Sequence, residues 1–126
     1  MGPVSRKQNY ETILAKVLEE KFRSVDFNVE IAYDGEKVIT MAREFMPDVI
    51  LLDLILPKRS GFLVLEDLRA DPELRLIPVI VLSNVDQEED IKKALELGAK
   101  DYLVKIHHPI KEIIDIVKSY IFTKSK

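Results

Sequence analysis

Three side chains of different chemistry each follow an apolar run in this sequence. The pairs of run and polar residue are, in chain order, Val49–Leu52 with Asp53, Ile77–Leu82 with Ser83, and Tyr102–Val104 with Lys105. A charge cannot lie unpaired in an apolar core, so Asp53 should emerge in a crevice where its run ends. Taken alone, Asp53 is more simply a residue that ends a strand and caps the next turn. The other two pairs make a shared functional site the better interpretation.

The run Val49–Leu52 lies between Pro47 and Pro57, and its four apolar residues predict a strand buried on both faces. A buried helical segment is the competing interpretation, but the short length and Pro57 argue against it. If all three runs are parallel strands, their carboxyl ends lie at one edge of a sheet, where α/β proteins bind ligands.

The rest of the chain reads as helices alternating with these strands. A helix is predicted from about Ser5, because apolar residues recur at helical spacing from Tyr10 to Phe22. Val25–Tyr33 instead alternates apolar and polar residues, which predicts an edge strand. The expected helix boundaries are marked by Asp34, Ser60, the capping-box pair Asp86 and Glu89, Gly98 as a stop, and Pro109. The predicted order is one helix and then strand–helix four times, an α/β fold with a doubly wound parallel sheet.

The composition of the chain favours a single globular domain and argues against several classes of protein. The 126 residues are 47% hydrophobic, which suits one domain over residues 1–126, with an irregular start at 1–4 and a core at 5–122. The net charge of -3 disfavours nucleic-acid binding, and the lack of cysteine excludes disulfides and thiolate metal sites. No apolar stretch is long enough to cross a membrane, so a cytoplasmic domain is expected.

The sequence resembles the receiver domain of two-component response regulators, a CheY-like flavodoxin fold. The resemblance runs from about Ser5 to Phe122. The segments that carry it are Ala32-Tyr33-Asp34-Gly35, Pro47-Asp48, Ile50–Asp53, Leu56-Pro57 with Gly61, Ile77–Ile80 with Ser83, and Gly98–Lys105. The strand order 2-1-3-4-5 is a known property of that fold.

The resemblance implies a function for each of the polar residues. Asp53 would accept a phosphoryl group from a histidine kinase, Ser83 would bond a phosphoryl oxygen, and Lys105 would neutralise charge beside it. Tyr102 would be the aromatic switch residue. Without the resemblance, Lys105 is simply a solvated lysine and Tyr102 a packed strand aromatic with its hydroxyl in water. The resemblance therefore implies a module that binds a protein partner when it is phosphorylated, and not a classical enzyme.

The front of the family pattern is not found in this sequence. Receivers open with an apolar strand that ends in two adjacent acids, which bind Mg²⁺ together with the phosphoacceptor and a backbone carbonyl, here that of Ile55. The acids should fall near Met1, Gly2 and Pro3, where there are none. Asp53 alone is a weak Mg²⁺ site. The explanations that we consider are a late start or truncation, a natural degenerate receiver, strand exchange in a homodimer, and direct pairing of Val25–Tyr33 with Val49–Leu52.

Two other functions compete with the receiver switch. A pseudo-receiver would bind partners without phosphorylation, and the lack of the acidic pair favours it. A phosphatase with an aspartyl nucleophile would place a second Asp two residues after the first, where Ile55 stands. The adjacent residues His107 and His108 are expected to be a solvated loop, because neighbouring histidines make a poor chelate.

Overall fold

The computed structural model describes residues 10–124, which divide between two compact units, residues 1–31 and residues 32–126. The helices and strands are α1 (Tyr10–Ser24), α2 (Gly35–Phe45), β1 (Ile50–Leu52), α3 (Gly61–Ala70), β2 (Val79–Ser83), α4 (Glu88–Glu96), β3 (Asp101–Val104) and α5 (Ile110–Lys124). Short 3₁₀ helices precede β2 at Leu74–Leu76 and follow β3 at Lys105–His107. The predicted helical residues 5–9 and the first four residues lie outside the described part.

The predicted edge strand at Val25–Tyr33 is wrong. Phe27, Val29 and Ile31 are partly buried and alternate with exposed residues, as the period of two predicted. The segment instead folds back on the end of α1. The Phe27 and Phe22 rings pack edge to face with their centroids 5.4 Å apart, and the Arg23 guanidinium donates to the Val29 carbonyl at 2.6 Å. An extended segment becomes a strand only with a ladder partner, and no strand between residues 10 and 124 pairs with it.

The sheet of residues 32–124 is parallel and has the order β1-β2-β3. Leu52 lies opposite Val81, and Ser83 lies opposite Val104. The central strand β2 is buried at all five positions. In β1 only Leu52 is fully buried, because β1 has one strand neighbour among the described residues. The sequence-based expectation that both faces of Val49–Leu52 are buried is therefore wrong. The alternative, in which this strand pairs with Val25–Tyr33, is wrong as well.

Helices cover the sheet on both faces, which makes this an α/β protein of the doubly wound kind. One core joins side chains of α2, α3 and α4 to Leu52, Val79 and Val81. Tyr102 packs against that core, so the alternation of a strand turns Asp101 and Leu103 to the opposite face. There α5 buries Ile113, Ile114 and Val117, and its Tyr120 hydroxyl lies 3.4 Å from Asp101.

Most of the predicted helix boundaries are confirmed. The Asp34 carboxylate accepts from the Lys37 amide at 3.0 Å, the Ser60 hydroxyl accepts from the Leu63 amide at 3.3 Å, and Gly98 has φ +113 just after α4. The predicted capping box of Asp86 and Glu89 is wrong, since Gln87 is the N-cap of α4 and makes no side-chain cap bond. Three acids in the first turn of α4 instead favour the positive end of the helix dipole.

The far end of α4 is attached to α3. The Arg69 guanidinium, in the last turn of α3, donates to the Glu96 carbonyl at 2.7 Å. This bond satisfies one of the carbonyls that a helix leaves without a partner at its carboxyl end. The two ends of α4 are therefore held differently.

Candidate functional site

The carboxyl ends of the three parallel strands bring the predicted polar residues together. Asp53 follows β1, Ser83 ends β2 and Lys105 follows β3. The Lys105 ammonium donates to Asp53 Oδ2 at 2.7 Å. Ser83 lies on the strand between them and has no exposed surface. A hydrogen bond from its side chain lowers the pKa of Asp53. The sequence-based expectation of one cluster at one sheet edge therefore matches the geometry.

The Asp53 carboxylate is partly enclosed, with 16% of its side chain exposed. Burial raises the pKa of Asp53 above its ordinary value, and hydrogen bonds from the Ile55 amide, the Ser83 hydroxyl and the Leu54 amide act against that rise. The Ile55 amide donates to Oδ1 at 3.0 Å, so each carboxylate oxygen has a donor. The result is a fixed, partly desolvated carboxylate that remains reachable from solvent.

Lys105 is a buried cation and not the solvated surface lysine of the simpler interpretation. Its side chain is 5% exposed, and burial lowers its pKa to about 8. Lys105 is still mainly protonated at neutral pH, so its contact with Asp53 is an ion pair. A positive charge thus lies next to the position where a group added to Asp53 would carry negative charge.

Tyr102 is turned toward this site and its hydroxyl is bonded. It donates to the Val85 carbonyl at 2.5 Å, while the Val85 amide donates to Ser83 Oγ at 3.3 Å. Burial is the main cause that raises the pKa of Tyr102; a hydrogen bond with the Ser83 side chain acts against this rise, and the nearby carboxylates Asp90, Asp53 and Asp86 add to it. The alternative with the hydroxyl in water is not what the structure shows. Val85 therefore links Tyr102 to Ser83. This role could not be predicted from the sequence, because a valine in a loop gives no signal for it.

The loop between β1 and α3 is closed on itself and packed against α2. The Gly61 amide donates to the Leu54 carbonyl at 2.9 Å, and the Gly35 amide donates to the Pro57 carbonyl at 3.0 Å. A Cβ on Gly35 would lie 2.0 Å from the Arg59 carbonyl oxygen, which only glycine permits. The Asp-Gly pair in the sequence marks a turn, but its contact with the loop after Asp53 has no sequence signal.

The described side chains fit a divalent cation poorly. No group of three or more His, Cys, Asp or Glu side chains suited to a metal ion is present among them. Both oxygens of Asp53 already accept hydrogen bonds. The positions near Met1, Gly2 and Pro3, where the acidic pair was sought, lie outside the described residues, and residues 1–9 contain no acid. The Ile55 carbonyl as a ligand remains a prediction.

His107 and His108 do not join the site. His107 is exposed, and His108 Nδ1 lies 2.7 Å from Glu112 at the start of α5. No helix among residues 10–124 has the length and apolar character needed to span a bilayer.

A parallel sheet between two helical layers, with an Asp–Ser–Lys cluster at its carboxyl edge, defines a flavodoxin-like α/β protein with a CheY-like site. The sequence matches the response regulator receiver domain over residues 10–118, and the chain belongs to that family. A match of this extent covers every element around the site.

Named relatives agree with this assignment. The response regulator PleD of Caulobacter vibrioides is 35% identical over 111 residues, which are 88% of this chain and 24% of PleD. The probable transcriptional regulator ycf29 of Porphyra purpurea is 33% identical over 115 residues, 91% of this chain and 54% of the relative. This chain therefore spans between about a quarter and about half of these relatives.

Solved structures agree as well. The receiver domain of Francisella response regulator 1452 has a TM-score of 0.81 and 28% identity, with 92% of this chain and 93% of that one covered. The receiver domain of the Pseudomonas aeruginosa sensor kinase PA1611 has a TM-score of 0.77 and 28% identity, with 86% and 88% covered. Receiver domains generally bind Mg²⁺, and the PA1611 structure has magnesium coordinated in its active site cleft.

Proposed function

We propose that Asp53 is the phosphoacceptor of a receiver module spanning residues 1–126, which signals by phosphorylation-dependent binding to a protein partner. The single observation that carries this proposal is the 2.7 Å contact between Lys105 Nζ and Asp53 Oδ2 at the sheet edge. The donor is a phosphohistidine of a histidine kinase. A carboxylate oxygen attacks phosphorus, the bond from phosphorus to the histidine nitrogen breaks, and the imidazole leaves with the electron pair.

The neighbours of Asp53 supply one positive charge and several hydrogen-bond donors for this transfer. Lys105 places positive charge beside the transferred group, and the Ser83 hydroxyl and the Ile55 amide are donors within the same site. Tyr102 and Val85 connect Ser83 to the loop that leads into α4. Movement of Ser83 toward a phosphoryl oxygen would therefore change the surface formed by this loop and α4, as a shift between two packings.

The test is incubation with acetyl phosphate and Mg²⁺, followed by phosphate-affinity electrophoresis. A slower band that is lost in Asp53→Asn supports the proposal. A band that persists in Asp53→Asn places the modification elsewhere and contradicts the role of Asp53.

A second function, constitutive binding without phosphorylation, is favoured by the metal-site observation. Asp53 has no carboxylate partners for a metal among the described side chains, and its oxygens are already bonded. We therefore expect Mg²⁺ to bind this chain weakly. The affinity for Mg²⁺ is measured by titration, followed through the amide chemical shifts. Shifts around Asp53 that saturate at low millimolar Mg²⁺ would contradict weak binding. In the acetyl phosphate test, absence of a phosphorylated band would favour constitutive binding.

A further inference from the structure

The loop after Asp53 contains a strained turn. Lys58 has φ +67, in the left-handed region that non-glycine residues seldom adopt, and the Arg59 amide donates to the Pro57 carbonyl at 2.7 Å. A hydrogen bond between residues two apart around a residue of positive φ is the rare form of γ-turn. Such strain persists only where the surrounding contacts hold it in place.

Two groups of contacts hold this turn. On one side, the start of α2 contributes the Gly35 amide on the Pro57 carbonyl, and the Asp34 carboxylate lies 3.8 Å from the Lys58 ammonium. On the other side, the Arg59 guanidinium forms a two-bond pair with Asp67 of α3, with Nε at 2.6 Å and Nη2 at 2.9 Å. A planar fork that bonds both carboxylate oxygens fixes orientation as well as distance, which a single charge contact does not.

The same loop carries a donor to Asp53. The Ile55 amide, two residues before Pro57, donates to Asp53 Oδ1, and the bond from Gly61 to Leu54 closes the loop that contains both. Because the loop is closed, the position of its turn sets the position of the Ile55 peptide.

We propose that Arg59 is a positioning residue for Asp53: its pair with Asp67 holds the strained turn, which keeps the Ile55 amide on the Asp53 carboxylate. This inference rests on the proposed role of Asp53 as phosphoacceptor. Arg59 itself does not touch the reacting group. Without the pair, the turn at Lys58 relaxes and the Ile55 amide loses its alignment.

The chain offers a matched control. Arg43 of α2 contacts Asp71 at 2.6 Å, and this pair lines the same groove of about 800 Å³ between α2 and α3 as Arg59 and Asp67. The Arg43 pair does not include the loop after Asp53. Arg43→Gln therefore removes the same type of side chain from the same groove and leaves the turn in place.

The experiment compares Arg59→Gln, Arg59→Lys and Arg43→Gln by two readouts. The first is the pKa of Asp53, followed by the carboxyl carbon shift in NMR without any phosphoryl donor. The second is the rate of phosphorylation by acetyl phosphate. We expect Arg59→Gln to raise the pKa of Asp53 and to slow phosphorylation about tenfold. Arg59→Lys should show smaller changes of the same sign, because lysine keeps the charge but cannot form the two-bond pair with Asp67. Arg43→Gln should match the wild type in both readouts.

The outcomes separate this inference from the proposed function. Equal effects of Arg59→Gln and Arg43→Gln, or an unchanged pKa of Asp53 in a folded Arg59→Gln protein, would overturn the positioning role. If the wild type accepts no phosphoryl group, the proposed function fails, while the pKa comparison still decides the role of Arg59. Thermal unfolding of each variant verifies that it is folded.

Discussion

Lys105 Nζ lies 2.7 Å from Asp53 Oδ2, although the two residues are 52 positions apart in the chain. Both side chains are largely enclosed, so the contact is only weakly screened by solvent. Burial moves the two pKa values toward each other, since it raises that of Asp53 and lowers that of Lys105. The charged form of both groups is thus confined to a narrower pH range than for free side chains.

The rate of Asp53 phosphorylation should therefore fall at both ends of the pH range. On the alkaline side it falls as pH rises through about 8, because Lys105 loses its proton there. On the acid side it falls as Asp53 takes up a proton, at a pH above the ordinary 3.8 of an aspartate. The measurement is the initial rate with acetyl phosphate from below pH 4 to pH 10, so that both limbs lie inside the range.

Lys105→Arg is the control for the alkaline limb. A guanidinium keeps its charge throughout this range, so the fall near pH 8 should disappear even if the overall rate is lower. An alkaline limb that stays in Lys105→Arg would show that another group, or the phosphoryl donor, causes it.

Gly35→Ala should destabilise the protein by about 3 kcal/mol, because the added Cβ meets backbone and cannot be accommodated by rotation of a side chain. The atom it meets is the Arg59 carbonyl oxygen, 2.0 Å away. Gly98→Ala is the comparison: it suffers from φ +113, but its Cβ has only Arg69 Cδ at 3.8 Å. We expect Gly98→Ala to cost about 1 kcal/mol. Urea unfolding measures both, and equal costs would contradict the close contact at Gly35.

Met46→Gly should stabilise the protein by about 0.5–1 kcal/mol, because glycine accepts the left-handed conformation that ends α2. Met46 has φ 48 and is 52% exposed as a residue, so little packing is lost. Met46→Ala removes the same side chain without relieving the backbone and should not stabilise. A melting temperature of Met46→Gly at or below that of Met46→Ala would count against this explanation.

Tyr102→Phe should reduce the free energy of unfolding by about 1 kcal/mol, since it leaves the Val85 carbonyl without its hydroxyl donor. The bond lost is the 2.5 Å contact that links β3 to the loop before α4. Tyr33→Phe is the control, as Tyr33 is an exposed residue, with 52% of its surface accessible. Chemical denaturation followed by circular dichroism compares the two; a loss no larger than that of Tyr33→Phe would contradict a structural role for the Tyr102 hydroxyl.

Sequence patterns were sufficient for features that depend on nearby residues. Asp34 and Ser60 as helix caps, and Gly98 after α4, follow from local backbone chemistry. The meeting of Asp53 and Lys105 could also be predicted, because parallel strands must end on the same side of a sheet.

Features that depend on a partner far along the chain could not be predicted in this way. Val25–Tyr33 has the alternation of a strand, but whether it becomes one depends on a neighbouring strand that its own residues do not specify. The pair of Arg59 with Asp67 likewise depends on how the loop turns at Lys58, and lysine is not a residue that marks positive φ. The N-cap of α4 was misplaced by one residue because several acids there satisfy the same pattern.

The bond from the Arg69 guanidinium to the Glu96 carbonyl ties the carboxyl end of α4 to α3. The first turn of α4 starts at Gln87 without a side-chain cap, directly after the loop that Tyr102 and Ser83 contact through Val85. Because its carboxyl end is tied to α3, we expect any movement of α4 to be largest at its first turn, beside Val85 and the cluster of Asp53, Ser83 and Lys105.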